Sequence, residues 1–94
     1  MIKIKKKEGR LNSKSVTQEQ INSIIEKSEK EVIHRIFGKQ CIVVLKLENG
    51  FTIFGESACV DPANYDEQIG YDISLQSIEK RLWELEGYLL QNTI

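Results

Sequence analysis

The sequence has few of the residues that mark specialised protein classes. It contains one proline, one histidine and two cysteines, too few cysteines for a disulfide framework, and no C-x-x-C pair or Cys/His cluster indicates zinc. No apolar run approaches the ~20 residues of a membrane-spanning helix. The opening residues also lack the apolar stretch and small-residue cleavage site of a secretory signal. We therefore expect a soluble, cytoplasmic protein without a membrane partner.

The 94 residues leave room for one small core, and neither a repeat nor a linker-like composition divides them. We predict a single domain over residues 1–94, with a basic arm at 1–16 and a compact core at 17–94. The net charge of -1 provides no overall attraction to nucleic acid, although the first fourteen residues are locally basic. Such an arm is commonly a solvated terminus. A nucleic-acid binder that uses it is the less favoured alternative.

Hydrophobic spacing predicts an α+β fold in which a short antiparallel meander of about three strands packs against an N-terminal helix and a long C-terminal helix. Thr17 and Gln20 have the spacing of a capping box, so a helix should follow over 18–30. β-branched and aromatic residues predict a strand over 32–37, and continuation of the preceding helix is the alternative. A helix over 73–91 should cover the sheet with one apolar stripe. The residues of this stripe are Leu75, Ile78, Leu82, Leu85 and Leu89.

Asn49-Gly50 predicts a two-residue type I′ turn between strands 41–48 and 51–58. In that register Leu45 lies opposite Phe54, and Phe54 shares a face with Cys41 and Leu45. Both faces of the hairpin are apolar. We therefore expect a helix on one face and a second subunit or a ligand on part of the other.

Two further features concern the C-terminal half. Asp61-Pro62 is typical of a helix start, and a short helix should run from there to about Gly70. Trp83 and Leu90 lie to one side of the apolar stripe on the last helix. This second apolar edge suits a subunit contact, and packing of Trp83 within its own chain is the alternative.

The residues do not supply a convincing catalytic apparatus. A nucleophilic Cys41 or Cys59 needs a base, and the only histidine is His34, for which a structural role is favoured. The acidic residues have no spacing that identifies a glycosidase pair or a metal site, and no phosphate-binding glycine loop is present. The predicted register points the two cysteines to opposite faces, which predicts two free thiols. We expect no enzyme activity, no metal and no cofactor.

Three residues could instead form a binding surface where the return strand, the Asp-Pro loop and the last helix meet. Phe54 offers a ring that can stack on a base, Asn64 an amide, and Arg81 a guanidinium that can recognise phosphate. From the residues alone, the favoured interpretation is a core Phe54, a capping Asn64 and a solvated Arg81.

Segments 49–51 (NGF), 55–66 (GESACVDPANYD) and 82–88 (LWELEGY) resemble a family of small phage-encoded proteins. That family contains the first type of Thoeris anti-defence protein, which sequesters the cyclic ADP-ribose isomers made by bacterial TIR-domain enzymes. Such proteins act as sponges rather than enzymes. The resemblance is best over the C-terminal half of the chain.

The resemblance implies that Phe54 and Asn64 sandwich an adenine and that Arg81 contacts the ligand. Arg35, on the first predicted strand, is either a second ligand-binding cation or a solvated strand residue. The resemblance also implies a homo-oligomer, a dimer that can assemble into a hexamer, with pockets near subunit contacts.

We therefore expect a phage immune-evasion protein that acts in the cytoplasm of the bacterial host. It would bind a cyclic ADP-ribose isomer or a related cyclic nucleotide without cleaving it and so block Thoeris immunity. An interaction module that inhibits a host protein is the alternative from another class, and a sponge for other cyclic nucleotides is the alternative within the same class.

Overall fold

A computed structural model describes residues 15–94, and the predicted basic arm lies almost wholly outside the described residues. Three strands form one antiparallel sheet, in which the strands lie side by side in the order of the chain. The predicted α+β fold is confirmed. Within residues 15–94, no helix combines the length and apolarity that crossing a bilayer requires. The elements are, in chain order, helix α1 (Gln18–Lys27), strands β1 (Glu29–Ile36), β2 (Gln40–Lys46) and β3 (Thr52–Ala58), a 3-10 helix (Pro62–Asn64) and helix α2 (Glu67–Gln91).

Helix α1 begins with the predicted capping box. The Thr17 hydroxyl accepts a hydrogen bond from the Gln20 backbone N–H (3.1 Å), and the Gln20 side-chain oxygen accepts one from the Thr17 N–H (2.8 Å). These two bonds satisfy donors that a helix start otherwise leaves unpaired. The helix ends earlier than predicted, because Ser28 is already extended and leads directly into β1.

The β2–β3 hairpin differs from the prediction by one residue. The Leu47 N–H donates to the Phe51 carbonyl and the Gly50 N–H donates to the Leu47 carbonyl, both at 2.8 Å. The loop therefore contains residues 48–50 rather than Asn49-Gly50 alone. Gly50, with φ of 92°, supplies the left-handed conformation that closes a loop of this length. Val44, and not Leu45, lies opposite Phe54.

This shift exchanges the two faces of β3, because successive side chains of a strand point to opposite sides. The prediction that Phe54 shares a face with Cys41 and Leu45 is wrong. Ile53 takes that place and is 4% exposed, whereas Phe54 is 62% exposed on the opposite face. We call this opposite side, formed by alternate residues of the three strands, the open face.

Helix α2 lies directly against β3 because residue 55 has no side chain. A Cβ atom at Gly55 would overlap the Ser74 carbonyl oxygen and lie 3.0 Å from Ile78 Cγ1. Ser74 is fully buried in this contact, and its hydroxyl donates to the Gly70 carbonyl (2.8 Å). The buried polar group is thus satisfied within the helix.

The core forms between the sheet and both helices, on the side away from the open face. The predicted stripe of α2 is only partly correct, because Leu89 is 51% exposed and the helix also buries Gly70 and Ser74. No disulfide joins Cys41 and Cys59, which agrees with the prediction of free thiols. The fully buried core residues are Ile21, Cys41, Val43, Leu45, Ile53, Ile78 and Leu82.

The short helix predicted from Asp61-Pro62 to about Gly70 is not a continuous helix. The Asp61 carboxylate accepts a hydrogen bond from the Ala63 N–H (2.9 Å), but the helix that it caps is a single 3-10 turn. A second carboxylate, Asp66, accepts from the Ile69 N–H (3.0 Å) and caps α2. The helix predicted from residue 73 therefore begins at Glu67.

Replacing Gly55 should strongly destabilise the protein. We expect Gly55→Ala to lower the free energy of unfolding by about 2 kcal/mol or more, because the new methyl group would push the helix away from the strand. Gly87→Ala is the matched control, since a Cβ at Gly87 would meet no atom within 4 Å. This helical substitution should stabilise by about 0.5–1 kcal/mol. Urea denaturation of both variants tests the contact, and equal stability of the two would contradict it.

Candidate functional site

Strand β1 contains a bulge between Ile33 and Ile36, where its pairing with β2 changes register. Within the bulge, Arg35 has φ of 61°. This left-handed conformation is uncommon for any residue other than glycine. Bulges re-aim side chains and are frequent beside functional sites. The Arg35 side chain reaches the start of α2, where it meets Tyr65 and Glu67.

The guanidinium of Arg35 has two neighbours. Its Nε lies 3.3 Å from a carboxylate oxygen of Glu67, and its central carbon lies 5.0 Å from the centre of the Tyr65 ring. The side chains of Arg35 and Glu67 are each 53% exposed. An exposed ion pair of this kind contributes little to stability. The contacts do, however, restrict where the guanidinium can lie.

Tyr65 is itself held in place. Its hydroxyl lies 2.8 Å from Nδ1 of His34. A Cβ atom at Gly70 would lie 2.9 Å from the same hydroxyl, so the absence of a side chain at Gly70 makes room for the phenol. Burial raises the pKa of the Tyr65 hydroxyl above the ordinary value of 10.0, and its interaction with the Cys41 thiol acts in the same direction.

The turn after β1 projects a phenylalanine into solvent. Phe37 and Gly38 have φ values of 53° and 78°, and the Lys39 N–H donates to the Ile36 carbonyl at 3.1 Å. Paired positive φ angles are typical of a type I′ turn, in which Asn, Asp and Gly are preferred. Phe37 is 89% exposed, so burial does not offset the strain of its backbone.

We call the place where the end of β1 meets the start of α2 the corner. Asn64 lies in the 3-10 helix beside this corner. It is exposed and lines a cavity of about 70 Å³ together with Cys59, Tyr65, Ile69 and Ile73. This volume is well below the about 300 Å³ of a small ligand pocket. A nucleotide that contacts Asn64 must therefore lie across the surface. The thiol of Cys59, which also borders this cavity, donates to the Asp61 carbonyl oxygen (3.2 Å).

Phe54 lies on the open face, in the edge strand β3. Across the sheet it is aligned with Val44 on β2 and Glu31 on β1. Ile33, on the same face, is 54% exposed. On the side away from both helices the sheet therefore combines apolar side chains with exposed carboxylates such as Glu31 and Glu56, so the prediction of an apolar second face is only partly correct. The ring of Phe54 is accessible to a planar ligand or to another protein surface.

Arg81 is exposed and lies on α2, between the buried residues Ile78 and Leu82. Helix α2 covers the face of the sheet opposite to Phe54. The four predicted ligand-binding residues thus occupy three places in one chain. Arg35 and Asn64 lie at one corner, Phe54 on the open face, and Arg81 on the covering helix.

Three residues of this region, Tyr65, Glu67 and Phe37, were not among the candidates predicted from sequence. His34 has a structural partner in Tyr65, which is the role favoured from sequence. None of these residues belongs to a recognisable motif. Their proximity depends on a bulge and a turn that bring β1 to α2, and neither is evident from the sequence. Over the described part of the chain, no three His, Cys, Asp or Glu residues are arranged to hold a metal ion.

A family model described as "Phage protein (N4 Gp49/phage Sf6 gene 66) family" matches residues 16–94. No curated protein and no solved structure matches the chain. The match covers every element of the fold.

The environment of Tyr65 predicts how stability changes at alkaline pH. Because its pKa is raised in the folded protein, its contribution to stability is complete below the unfolded value and is lost as pH rises through the folded value. We expect ultraviolet difference titration of wild type against Tyr65→Phe to show that Tyr65 ionises above pH 10.0. A Tyr65 transition at or below that pH would contradict the described environment.

Proposed function

Since the chain belongs to the phage protein family of N4 Gp49 and phage Sf6 gene 66, we propose that it is an anti-defence protein that sequesters a TIR-derived cyclic ADP-ribose signal without cleaving it and so blocks Thoeris immunity. Family membership supports the phage origin, and the resemblance of segments 49–51, 55–66 and 82–88 supports the signal. The structural observation that favours the proposal is the exposed ring of Phe54.

An aromatic ring that is 62% exposed in the middle of a strand is a suitable platform for a base. Stacking of a base on an aromatic side chain contributes about 1–3 kcal/mol. The diphosphate of ADP-ribose requires cations, and Arg35 and Arg81 are both exposed. Asn64 carries an amide that can both donate to and accept from an adenine or a ribose.

Sequestration needs no turnover. A sponge must have a dissociation constant below the signalling concentration and sites in at least comparable number to the signal molecules. Binding then lowers the free concentration of the signal below what its host receptor requires. The proposed site contributes stacking, amide and guanidinium contacts, which are sufficient for binding and do not include a nucleophile.

The separation of Phe54 and Arg81 supports a site shared between protomers. In one chain, Phe54 lies on the open face and Arg81 lies on the helix that covers the other face of the sheet. A ligand that contacted both residues would have to extend around the edge of β3. A second copy removes this requirement, because one protomer can contribute Phe54 and its partner can contribute Arg81. We therefore include a homo-oligomer in the proposal.

The end of α2 offers a surface for such an assembly. Tyr88 is 70% exposed and Leu89 is 51% exposed, and with Phe51 they border an apolar cavity of about 210 Å³. Trp83 is half-buried and packs partly against its own core, which is the alternative considered from sequence, and its exposed part remains available to the proposed subunit contact. A second copy would remove these apolar side chains from water.

An interaction module is the second candidate function, and the exposed apolar side chains of the open face favour it. Ile33 and Phe54 could pack against a host protein as well as against a base. The two functions differ in what Arg81 does. A nucleotide sponge needs its charge, whereas a protein partner on the open face does not contact the helix on the other side.

Phe54→Ala tests the stacking role. We expect it to weaken binding of a cyclic ADP-ribose isomer, purified from a TIR-domain enzyme, by about 10- to 100-fold, because the platform for the base is lost. Isothermal titration calorimetry measures the affinity. Val60→Ala is the control, since Val60 is also exposed (93%) but follows β3 and borders neither the open face nor the cavity at the end of α2, and it should bind normally.

The fate of the ligand tests the sponge mechanism in the same samples. Nucleotide released from wild type by heat should have the mass and chromatographic behaviour of the added isomer. Recovery of a linear product would refute sequestration without cleavage. Unchanged inhibition of host immunity by Phe54→Ala and Arg81→Ala would favour the interaction module instead.

Mixed oligomers test whether two protomers share a site. Phe54→Ala and Arg81→Ala should each bind poorly alone. Refolded together in equal amounts as dimers, they should recover about a quarter of the wild-type sites, because half of the dimers are mixed and each mixed dimer has one intact site. Calorimetric stoichiometry measures this. If each site lies within one chain, mixing will restore no binding.

A further inference from the structure

We propose that Tyr65 and Glu67 are positioning residues that hold the guanidinium of Arg35 ready for an anionic group, so that the corner between β1 and α2 forms the phosphate subsite of the ligand site. The identity of the ligand rests on the proposed function. The anion subsite itself rests on the geometry of Arg35.

Arg35 contacts Glu67 through one side of its guanidinium. The contact uses Nε, on the side of the guanidinium nearest the stem, at 3.3 Å. The two terminal nitrogens are not part of this contact, and the side chain is 53% exposed. Arginine recognises phosphate and carboxylate groups by donating two parallel hydrogen bonds from such a planar fork.

Arg35 is also partly immobilised. A free arginine side chain loses rotamer freedom when it binds an anion, and that loss weakens binding. Here the backbone of Arg35 is fixed in a bulge, its guanidinium lies over the Tyr65 ring and its Nε contacts Glu67. Part of the ordering is therefore complete before a ligand arrives.

Tyr65 is rigid enough to orient a neighbour. Its hydroxyl is bonded to His34, and its ring packs against the core beside Gly70. The constraint thus passes from His34 through Tyr65 to Arg35. Removing the ring should release the guanidinium even though Tyr65 itself touches no anion.

A purely structural role explains these contacts less well. The Arg35–Glu67 pair is half exposed and contributes little to stability. The left-handed backbone of Arg35 is itself unfavourable. A strained arginine with weak stabilising contacts is expected where its orientation serves binding.

The experiment compares the wild-type protein with variants at Tyr65 and Tyr71, with inorganic pyrophosphate and the purified cyclic ADP-ribose isomer as probes. Tyr65→Leu removes the ring, and we expect both probes to bind about fivefold more weakly. Tyr65→Phe keeps the ring and should bind within about twofold of wild type. Tyr71→Leu is the control, because Tyr71 is also half-buried against the core.

Two readouts separate positioning from a general loss of structure. In an Arg35→Ala background, Tyr65→Leu should cause no further loss of affinity, because its effect acts only through the arginine. In wild type, the Nε–H resonance of Arg35 should be displaced by the ring current of Tyr65 and should move when pyrophosphate is added. The second readout needs no variant, so it applies even if Tyr65→Leu fails to fold.

The outcomes are distinguishable. Equal losses from Tyr65→Leu in the wild-type and Arg35→Ala backgrounds, or an Arg35 Nε–H resonance that pyrophosphate does not move, would overturn the positioning role. If the cyclic ADP-ribose isomer fails to bind wild type but pyrophosphate shows the Tyr65-dependent response, the proposed function fails and the anion subsite stands.

Discussion

The close contact between the backbones of Gly55 and Ser74 determines how the rest of this molecule is arranged. Only a residue without a Cβ atom can face the helix at that point. Once Gly55 faces inward, Ile53 must also face inward and Phe54 must face outward, because side chains alternate along a strand. One steric constraint therefore fixes the register of the hairpin and the exposure of the ring on which the proposed function depends.

The regular elements carry Phe54 and Arg81, and the other candidate functional groups lie where the backbone departs from regularity. Arg35 is in a bulge, Phe37 is in a turn with left-handed geometry, and Asn64 ends a single 3-10 turn. These irregular segments meet at the N-terminal end of α2. Their conformations depend on neighbouring elements, which gives the corner a definite shape without a deep cavity.

Local signals in the sequence were sufficient for the element types but not for their register. The capping box at Thr17 and the cap at Asp61 were predictable because each depends on residues nearby in the chain. Asn49-Gly50 fits loops of two or of three residues, and the choice depends on a helix far along the sequence. The role of Tyr65 was not predictable for the same reason, since His34 and Gly70 approach it only in the folded chain.

Helix α2 has 25 residues and β3 has 7, so at about 1.5 Å and about 3.3 Å per residue the helix exceeds the strand by roughly 14 Å. The excess lies beyond the β2–β3 loop, where Tyr88 and Leu89 are exposed. These last turns gain little from their own sheet, and short unsupported helical segments are marginal in water. Local unfolding of α2 should therefore begin at this end, while the turns that pack against β3 remain folded.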